Sequence, residues 1–389
     1  MKRIAFVTST RAEFGLLMPV IKELRRYESD GFVAELVVTG THLSMSFGHT
    51  VDEIEASGLR VDRILPISVD SDCAQDISDN QADTLVKFTG LFTEQQYDAV
   101  ILLGDRYETL MVAVAAGNTH TPIFHLCGGD TTEGAIDEWI RHSVTKMSYL
   151  HFVTNAESRH RVIQLGESPE RVFDYGSTSI DNIIDSAVMP KLMALNSLNL
   201  PDCRYALCTY HPVTMEDAGL DQQMEALLSA IKAFPKIEFI ATKANADCGG
   251  ARINELLDRA GAEMRNLHVF PSLGLVRYLS LMKYSEFVLG NSSSGIIEAP
   301  ALKVPTVNIG DRQRGRLQSE SIINCGKDEA SIVRAIDTAL SQEFKAMCRN
   351  VISPYGDGHA AERIAAKIAE TLMGGRIDLK KKFYDLDKR

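Results

Sequence analysis

Three aspartates stand in short polar segments that follow apolar runs. Asp105 lies in Gly104-Asp105-Arg106 and Asp130 ends His125-Leu126-Cys127-Gly128-Gly129-Asp130; Asp137 comes just beyond, with Glu133 and Glu138 nearby. Carboxylates on two such loops could face one substrate from opposite sides, the arrangement that general acid–base proton transfer requires. Each residue also has a plainer reading. Asp105 could simply cap the helix after it, and spacing alone favours that. Carboxylates ahead of a helix are ordinarily explained by its dipole, and this acidic loop runs into the helical pair Arg141-His142. The paired glycines imply a tight turn or a close approach of backbone to a ligand. In Tyr210-His211-Pro212 a histidine follows the first strand of the second half, where residue type alone favours a structural role.

A second group suits anions. Thr8-Ser9-Thr10-Arg11-Ala12-Glu13-Phe14-Gly15 lies between a strand and a helix, so its hydroxyls and helix-start amides could hold a phosphate, with Arg11 adding charge. Plain capping with a surface arginine explains it equally well. Gly290-Asn291-Ser292-Ser293-Ser294-Gly295 is the most specific local signal: strand, small polar loop and helix, with Glu298 expected in the first helical turn. Glu298 would accept hydrogen bonds from sugar hydroxyls or merely complement the dipole. Gly310-Asp311-Arg312-Gln313-Arg314-Gly315-Arg316 has the outline of a P-loop without the Gly-Lys-Ser/Thr ending, so ATP use has no support. Its arginines read as phosphate partners or as a solvated loop. The sequence has no GxGxxG, no GxSxG nucleophile elbow and no HExxH metal pair.

The hydrophobic pattern supplies the elements that would hold these segments. Strands are expected at Ile4–Val7, Leu36–Val38, Ala99–Leu103, Ile123–Leu126, His151–Val153 and Val172–Tyr175. Helices are expected over Leu16–Arg26, Tyr107–Ala116, Asp137–Met147 and Ala156–Leu165. Ser186–Pro201 reads as a linker, and after it the rhythm restarts. Strands at Tyr205–Thr209, Ile237–Ala241, Leu267–Phe270, Phe287–Leu289 and Thr306–Ile309 alternate with helices at Met224–Phe234, Ala251–Ala260, Gly274–Lys283 and from about Gly295. Apolar strands alternating with helices argue parallel sheets covered on both faces. The expected fold class is α/β, with two Rossmann-like doubly wound domains over 1–185 and 202–355 and a C-terminal helix and tail over 356–389. Ligands of such sheets sit beyond the carboxyl ends of the strands, so two facing domains would make an interdomain cleft.

Composition narrows the classes. The 389 residues exceed what one hydrophobic core usually holds. A net charge of −11 argues against a general nucleic-acid binder or a basic membrane-surface protein. The longest apolar run, Leu110–Ala116, falls far short of the roughly 18 residues of a membrane span. Met1–Thr8 reads as a strand rather than a signal peptide, so a cytoplasmic protein is expected. Cys73, Cys127, Cys203, Cys208, Cys248, Cys325 and Cys348 are odd in number with no CxxC pair, which favours unpaired thiols over a disulfide framework or zinc site.

In their order and spacing, six segments closely resemble the hydrolysing UDP-N-acetylglucosamine 2-epimerases, which begin the synthesis of sialic acid and related nonulosonates. They are Thr10-Arg11-Ala12-Glu13-Phe14, Gly104-Asp105-Arg106, His125-x-x-Gly128-Gly129-Asp130, Ile136-Asp137-x-x-Ile140-Arg141-His142, His211-Pro212-Val213-Thr214 and Gly290-Asn291-Ser292-Ser293-Ser294-Gly295. The resemblance runs from about residue 3 to Gly358-His359. It implies the glycosyltransferase-B arrangement of two Rossmann domains, a C-terminal helix near Ala360–Leu372 returning to the first, and a dimer or tetramer. It also implies a UDP-sugar substrate, no cofactor and no metal, and no nucleic-acid or membrane partner. The implied reaction turns UDP-N-acetylglucosamine and water into N-acetylmannosamine and UDP through 2-acetamidoglucal.

By motif match, the resemblance assigns Asp105, Asp130 and Asp137 to the proton transfers and His211 to the glycosidic oxygen and phosphates. Arg11, Arg106, Asn245, Ser292, Ser293, Glu298 and Arg312 match nucleotide-contacting positions, Asn291 of the Gly290–Gly295 segment counts among the substrate-binding residues, and the Phe270–Leu273 loop with Ser272 forms the uracil edge. Arg141 and His142 bind substrate or orient the acidic loop. Two positions depart from the family pattern: Asp130 replaces a usual glutamate, and Cys127 stands where glutamate or histidine is frequent. The same chemistry on UDP-N,N′-diacetylbacillosamine remains open. A non-hydrolysing epimerase is disfavoured because Ala12 replaces the expected proline. A glycosyltransferase or a non-enzymatic nucleotide-sugar sensor would not need the several carboxylates retained here.

Overall fold

A computed structural model describes residues 1–45, 49–69, 73–132, 136–185, 188–213, 219–244, 249–375 and 377–386. They form two compact units. The first comprises Met1–Asp130, Asp137–Asn182 and Tyr355–Arg389; the second comprises Thr131–Ile136 and Ile183–Pro354.

The first unit contains strands β1 (Lys2–Thr8), β2 (Phe32–Val38), β3 (Arg63–Ile64), β4 (Ala99–Leu103), β5 (Ile123–Leu126), β6 (Leu150–Val153) and β7 (Val172–Asp174). They pair in parallel in the order β3-β2-β1-β4-β5-β6-β7, with Lys2 opposite Phe32 and Ile4 opposite Ala99. Successive strand side chains point to opposite faces. Ile4 and Phe6 therefore join Leu36, Val38, Ile101 and Leu103 in one layer, under Leu17, Val20 and Ile21 of helix Arg11–Arg25 and Ile364 and Ile368 of helix Ala360–Met373. Ala5 and Val7 face the other layer with Val37, Val100 and Leu102, against Phe88 and Phe92 of helix Ala74–Gln95, Val112 of helix Tyr107–Asn118 and Val144 of helix Asp137–Met147. Covered on both faces, β4 is buried throughout, which is why it reads as an unbroken apolar run.

The second unit contains β8 (Tyr205–Thr209), β9 (Glu238–Thr242), β10 (Leu267–Phe270), β11 (Val288–Gly290), β12 (Thr306–Ile309) and β13 (Ile322–Cys325). These are parallel in the order β10-β9-β8-β11-β12-β13. In each unit the strand order reverses beside the first strand, between β1 and β4 and between β8 and β11. Loops leaving the carboxyl ends at such a switch point are where doubly wound sheets bind ligands.

Five strands have the bounds read from sequence: β4, β5, β8, β10 and β12. The 22-residue helix Ala74–Gln95 was not expected, because its buried stripe is Asn80, Thr84, Phe88 and Phe92 and two of those four are polar. Ile322–Cys325 also escaped the pattern, being an edge strand with no fully buried residue. The stretch read as a linker carries the short helix Lys191–Asn196, whose Ala194 and Leu195 are buried in the second unit. Among the described residues no helix is long and apolar enough to cross a membrane.

Candidate active site

In the first unit, Thr10 caps helix Arg11–Arg25 and Glu13 closes a capping box. Glu13 Oε2 accepts from the Ser9 amide (2.8 Å), the Ser9 hydroxyl (2.9 Å) and the Thr10 amide (3.1 Å). Two amides that the sequence offered to a phosphate are thus committed to a carboxyl, while Arg11 stands half-buried at the first helical position. Burial pushes Glu13 up to about 7; Arg106 opposes that rise and the charge of Glu108 adds to it.

Gly104 follows β4 with φ of +84°, and the helix after it starts at Tyr107 with Arg106 in the capping position. Asp105 therefore does not cap this helix. Its Oδ2 instead accepts from Arg141 Nη2. Arg141 is 1% exposed, and its Nη1 donates to the Asp130 carbonyl (2.8 Å) and Glu138 Oε2 (2.9 Å). Glu138 Oε1 lies 3.2 Å from His142 Nε2. One buried guanidinium so gathers Asp105, Glu138 and the loop of Asp130, and Asp137 opens the helix that carries it. Arg106 turns its Nε toward Glu108 Oε2 at 3.3 Å.

Asp130 is held differently. Its Oδ1 accepts from Thr154 Oγ1 (2.6 Å) and Ser158 Oγ (2.7 Å), tying the loop to the start of helix Ala156–Gln164. A Cβ at Gly129 would fall 2.3 Å from the Ser158 carbonyl, so glycine is needed there for chain-to-chain packing. Buried His125 bridges Thr145 and the Gly104 carbonyl, with Nε2 to O 3.0 Å. Burial pushes its imidazole down to about 3, so it is neutral and steadies the turn before Asp105.

In the second unit, His211 follows β8 and Asn291 follows β11, side by side at the switch point. The His211 amide donates to Asn291 Oδ1 (2.7 Å), and Asn291 Nδ2 donates to the His211 carbonyl (2.8 Å). The Asn291 carbonyl accepts from Gln313 Nε2 (2.8 Å) and Arg312 Nη1 (3.2 Å). Ser292 Oγ accepts from Ser294 Oγ at 3.1 Å, and Ser293 is the capping position of helix Ser294–Ala301. Glu298 is the fifth residue of that helix, beyond the first turn, which removes the dipole reading. Its Oε2 is buried with no hydrogen-bond partner, and burial pushes the carboxyl up to about 7 against the opposing charge of Arg316. Ser272 accepts from the Gly274 amide in the turn before helix Leu275–Tyr284. Asn245, Thr214 and Glu133 lie outside the described residues.

The structure thus joins Asp105, Asp130, Arg141 and His142 in the first unit and His211, Asn291 and Arg312 in the second. Sequence reading did not single out Glu13, Glu108, Gln313 or the hydroxyls of Thr154 and Ser158. Only Glu13 carried a signal, the Thr-x-x-Glu capping pattern. Among the described residues no group of three His, Cys, Asp or Glu side chains is placed to hold a metal ion.

A family model described as UDP-N-acetylglucosamine 2-epimerase matches residues 23–369. Polysialic acid biosynthesis protein P7 of Escherichia coli is 35% identical over 387 residues, 99% of this chain and 98% of that protein. The GDP/UDP-N,N′-diacetylbacillosamine 2-epimerase (hydrolyzing) of Campylobacter jejuni is 38% identical over 348 residues, 88% of this chain and 89% of its own. The crystal structure of UDP-GlcNAc 2-epimerase from Neisseria meningitidis bound to UDP-GlcNAc shares the fold, with a TM-score of 0.78 at 19% identity over 96% of this chain and 100% of that one. With most of its length matched, the chain belongs to the UDP-N-acetylglucosamine 2-epimerase family.

Proposed function

We propose that this protein is a hydrolysing epimerase that converts UDP-N-acetylglucosamine and water to N-acetylmannosamine and UDP. The observation that carries the reading is the Asp105 carboxylate held on buried Arg141 at the switch point of the first sheet. The C2 proton of the sugar is not acidic, because no carbonyl is conjugated to that carbon. UDP therefore departs with the C1–O electron pair first or at the same moment, and a carboxylate takes the C2 proton to leave 2-acetamidoglucal. Water then adds its oxygen to C1 and releases a proton, while a second acid protonates C2 from the opposite face. Acid–base assistance of this kind is worth about 10²–10⁴-fold.

The two hydroxyls on Asp130 Oδ1 support giving the proton transfers to Asp105 and Asp137, with Asp130 fixing the loop. His211 faces the glycosidic oxygen and Arg11, Arg106, Ser292, Ser293 and Arg312 the phosphates. Glu298, with an unpartnered buried oxygen, takes sugar hydroxyls. The name of the Campylobacter relative supports a second reading, the same chemistry on UDP-N,N′-diacetylbacillosamine.

Incubation with each UDP-sugar in D₂O, followed by NMR, tests both. UDP plus C2-deuterated N-acetylmannosamine is the expected result. A UDP-linked C2 epimer would instead mean non-hydrolysing chemistry, and turnover of the diacetylated sugar alone would select the second reading.

A further inference from the structure

The resemblance counts Asn291 among the substrate-binding residues, yet its geometry faces the protein. The residue is 1% exposed and every polar group on it is engaged. Its amide N–H donates to the Thr209 carbonyl (3.2 Å), its own carbonyl takes Gln313 and Arg312, and its side chain holds both main-chain groups of His211. Gly290, at φ of +130°, makes this possible: a Cβ there would lie 2.0 Å from the Thr209 carbonyl, so only glycine lets the two loops close up.

We propose that Asn291 is a positioning residue for the His211 imidazole, anchored by Gln313, rather than a contact of the sugar nucleotide. A two-point clamp on the N–H and C=O of one residue restrains both its backbone dihedrals, and so aims its Cα–Cβ bond. Asparagine suits the task because it presents a donor and an acceptor side by side; aspartate would set a carboxylate oxygen against the His211 carbonyl. Gln313 is also 1% exposed, and its Oε1 has no hydrogen-bond partner. A half-satisfied buried amide is costly, and the bond it does make is the one to Asn291. The chain Gln313–Asn291–His211 thus runs from the loop after β12, through the loop after β11, to the loop after β8. Supporting residues of this kind hold a reacting group within the small tolerance that chemistry allows.

The inference rests on the proposed role of His211, and a double-mutant cycle separates the two. The measurements are kcat and KM with the UDP-sugar turned over in the D₂O test, and the UDP dissociation constant by calorimetry, for His211→Ala, Asn291→Ala and the double variant. A misplacement near 1 Å costs about 100-fold, so Asn291→Ala is expected to lower kcat by about that factor. UDP affinity should change less than about threefold, and the double variant should be no slower than His211→Ala alone, because a residue acting through another adds nothing once that partner is gone. Multiplied losses, or UDP binding weakened tenfold or more, would make Asn291 a direct contact and overturn the proposal. Unchanged kcat in His211→Ala would overturn the role of His211 and the inference with it, leaving the D₂O result intact.

If Asn291→Ala does not fold, Asn291→Asp and Gln313→Leu complete the same cycle. The NMR ring signals of His211, assigned by their loss in His211→Ala, give a readout independent of turnover. They are expected to shift in both variants, and unshifted signals would overturn the proposal.

Discussion

Glu13 and Glu108 put two carboxyls inside the first unit with the charge of Arg106 acting on both, and Glu108 Oε1 is buried without a hydrogen-bond partner. Burial raises Glu13 from its ordinary value near 4.5 to about 7, so the folded state holds that proton more tightly than the unfolded chain. The resulting stabilisation is complete below pH 4.5 and is lost as pH rises through 7. Glu13→Gln removes the effect, so the melting temperature of the variant relative to the native protein should climb from about pH 5 to about pH 8. A difference that stays flat across that range would reject the assignment. Asp105 makes the sharper functional test. Asp105→Asn should abolish turnover while leaving UDP binding nearly intact, and lost UDP affinity with normal turnover at saturation would sink its role.

At the scale of elements, the segment after helix Ala360–Met373 does more than trail. Lys381 Nζ donates to the carbonyls of Lys146 (2.9 Å) and Ser148 (2.6 Å), where helix Asp137–Met147 ends. It also pairs with Glu167 at 2.6 Å. A cation there satisfies carbonyls that the helix leaves open and complements its dipole. Glu167 is nearly fully buried; burial works against its charge, but hydrogen bonds from His151, Lys146 and Lys381 prevail and hold it down to about 2. Lys381→Ala should therefore destabilise the first unit by about 2 kcal/mol, the scale of a charged hydrogen bond, as read by urea unfolding. The same helix carries Arg141, so its far end sets a residue of the candidate site. None of this was legible from spacing, because Lys381 and Lys146 lie 235 positions apart. Helix Ala74–Gln95 was hidden for a different reason, its core face being half polar.

For the whole molecule, each unit contains one parallel sheet with its own switch point, and the nucleotide contacts proposed for Ser292, Ser293 and Arg312 in the second make a spatial prediction. Saturating UDP should slow amide exchange around 211–213, 291–298 and 310–316, the loops after β8 and β12 and the loop and helix start after β11. Protection confined to the first unit would contradict it. The sequence by itself determined the α/β class, the main strands and the loops that follow them, because apolar runs and punctuating glycines are local signals set by backbone geometry and burial. It also carried the family, since motif order survives where single motifs are weak. The tertiary structure alone decided what each polar side chain meets. Asp105 turned from a cap to a partner of Arg141, Asp130 became the acceptor of two hydroxyls, and Asn291 faced His211. The physical reason is that these are contacts between the ends of different strands. Hydrogen-bond partners and desolvation there depend on which chain segments the sheet order makes neighbours, and spacing along one segment does not encode that.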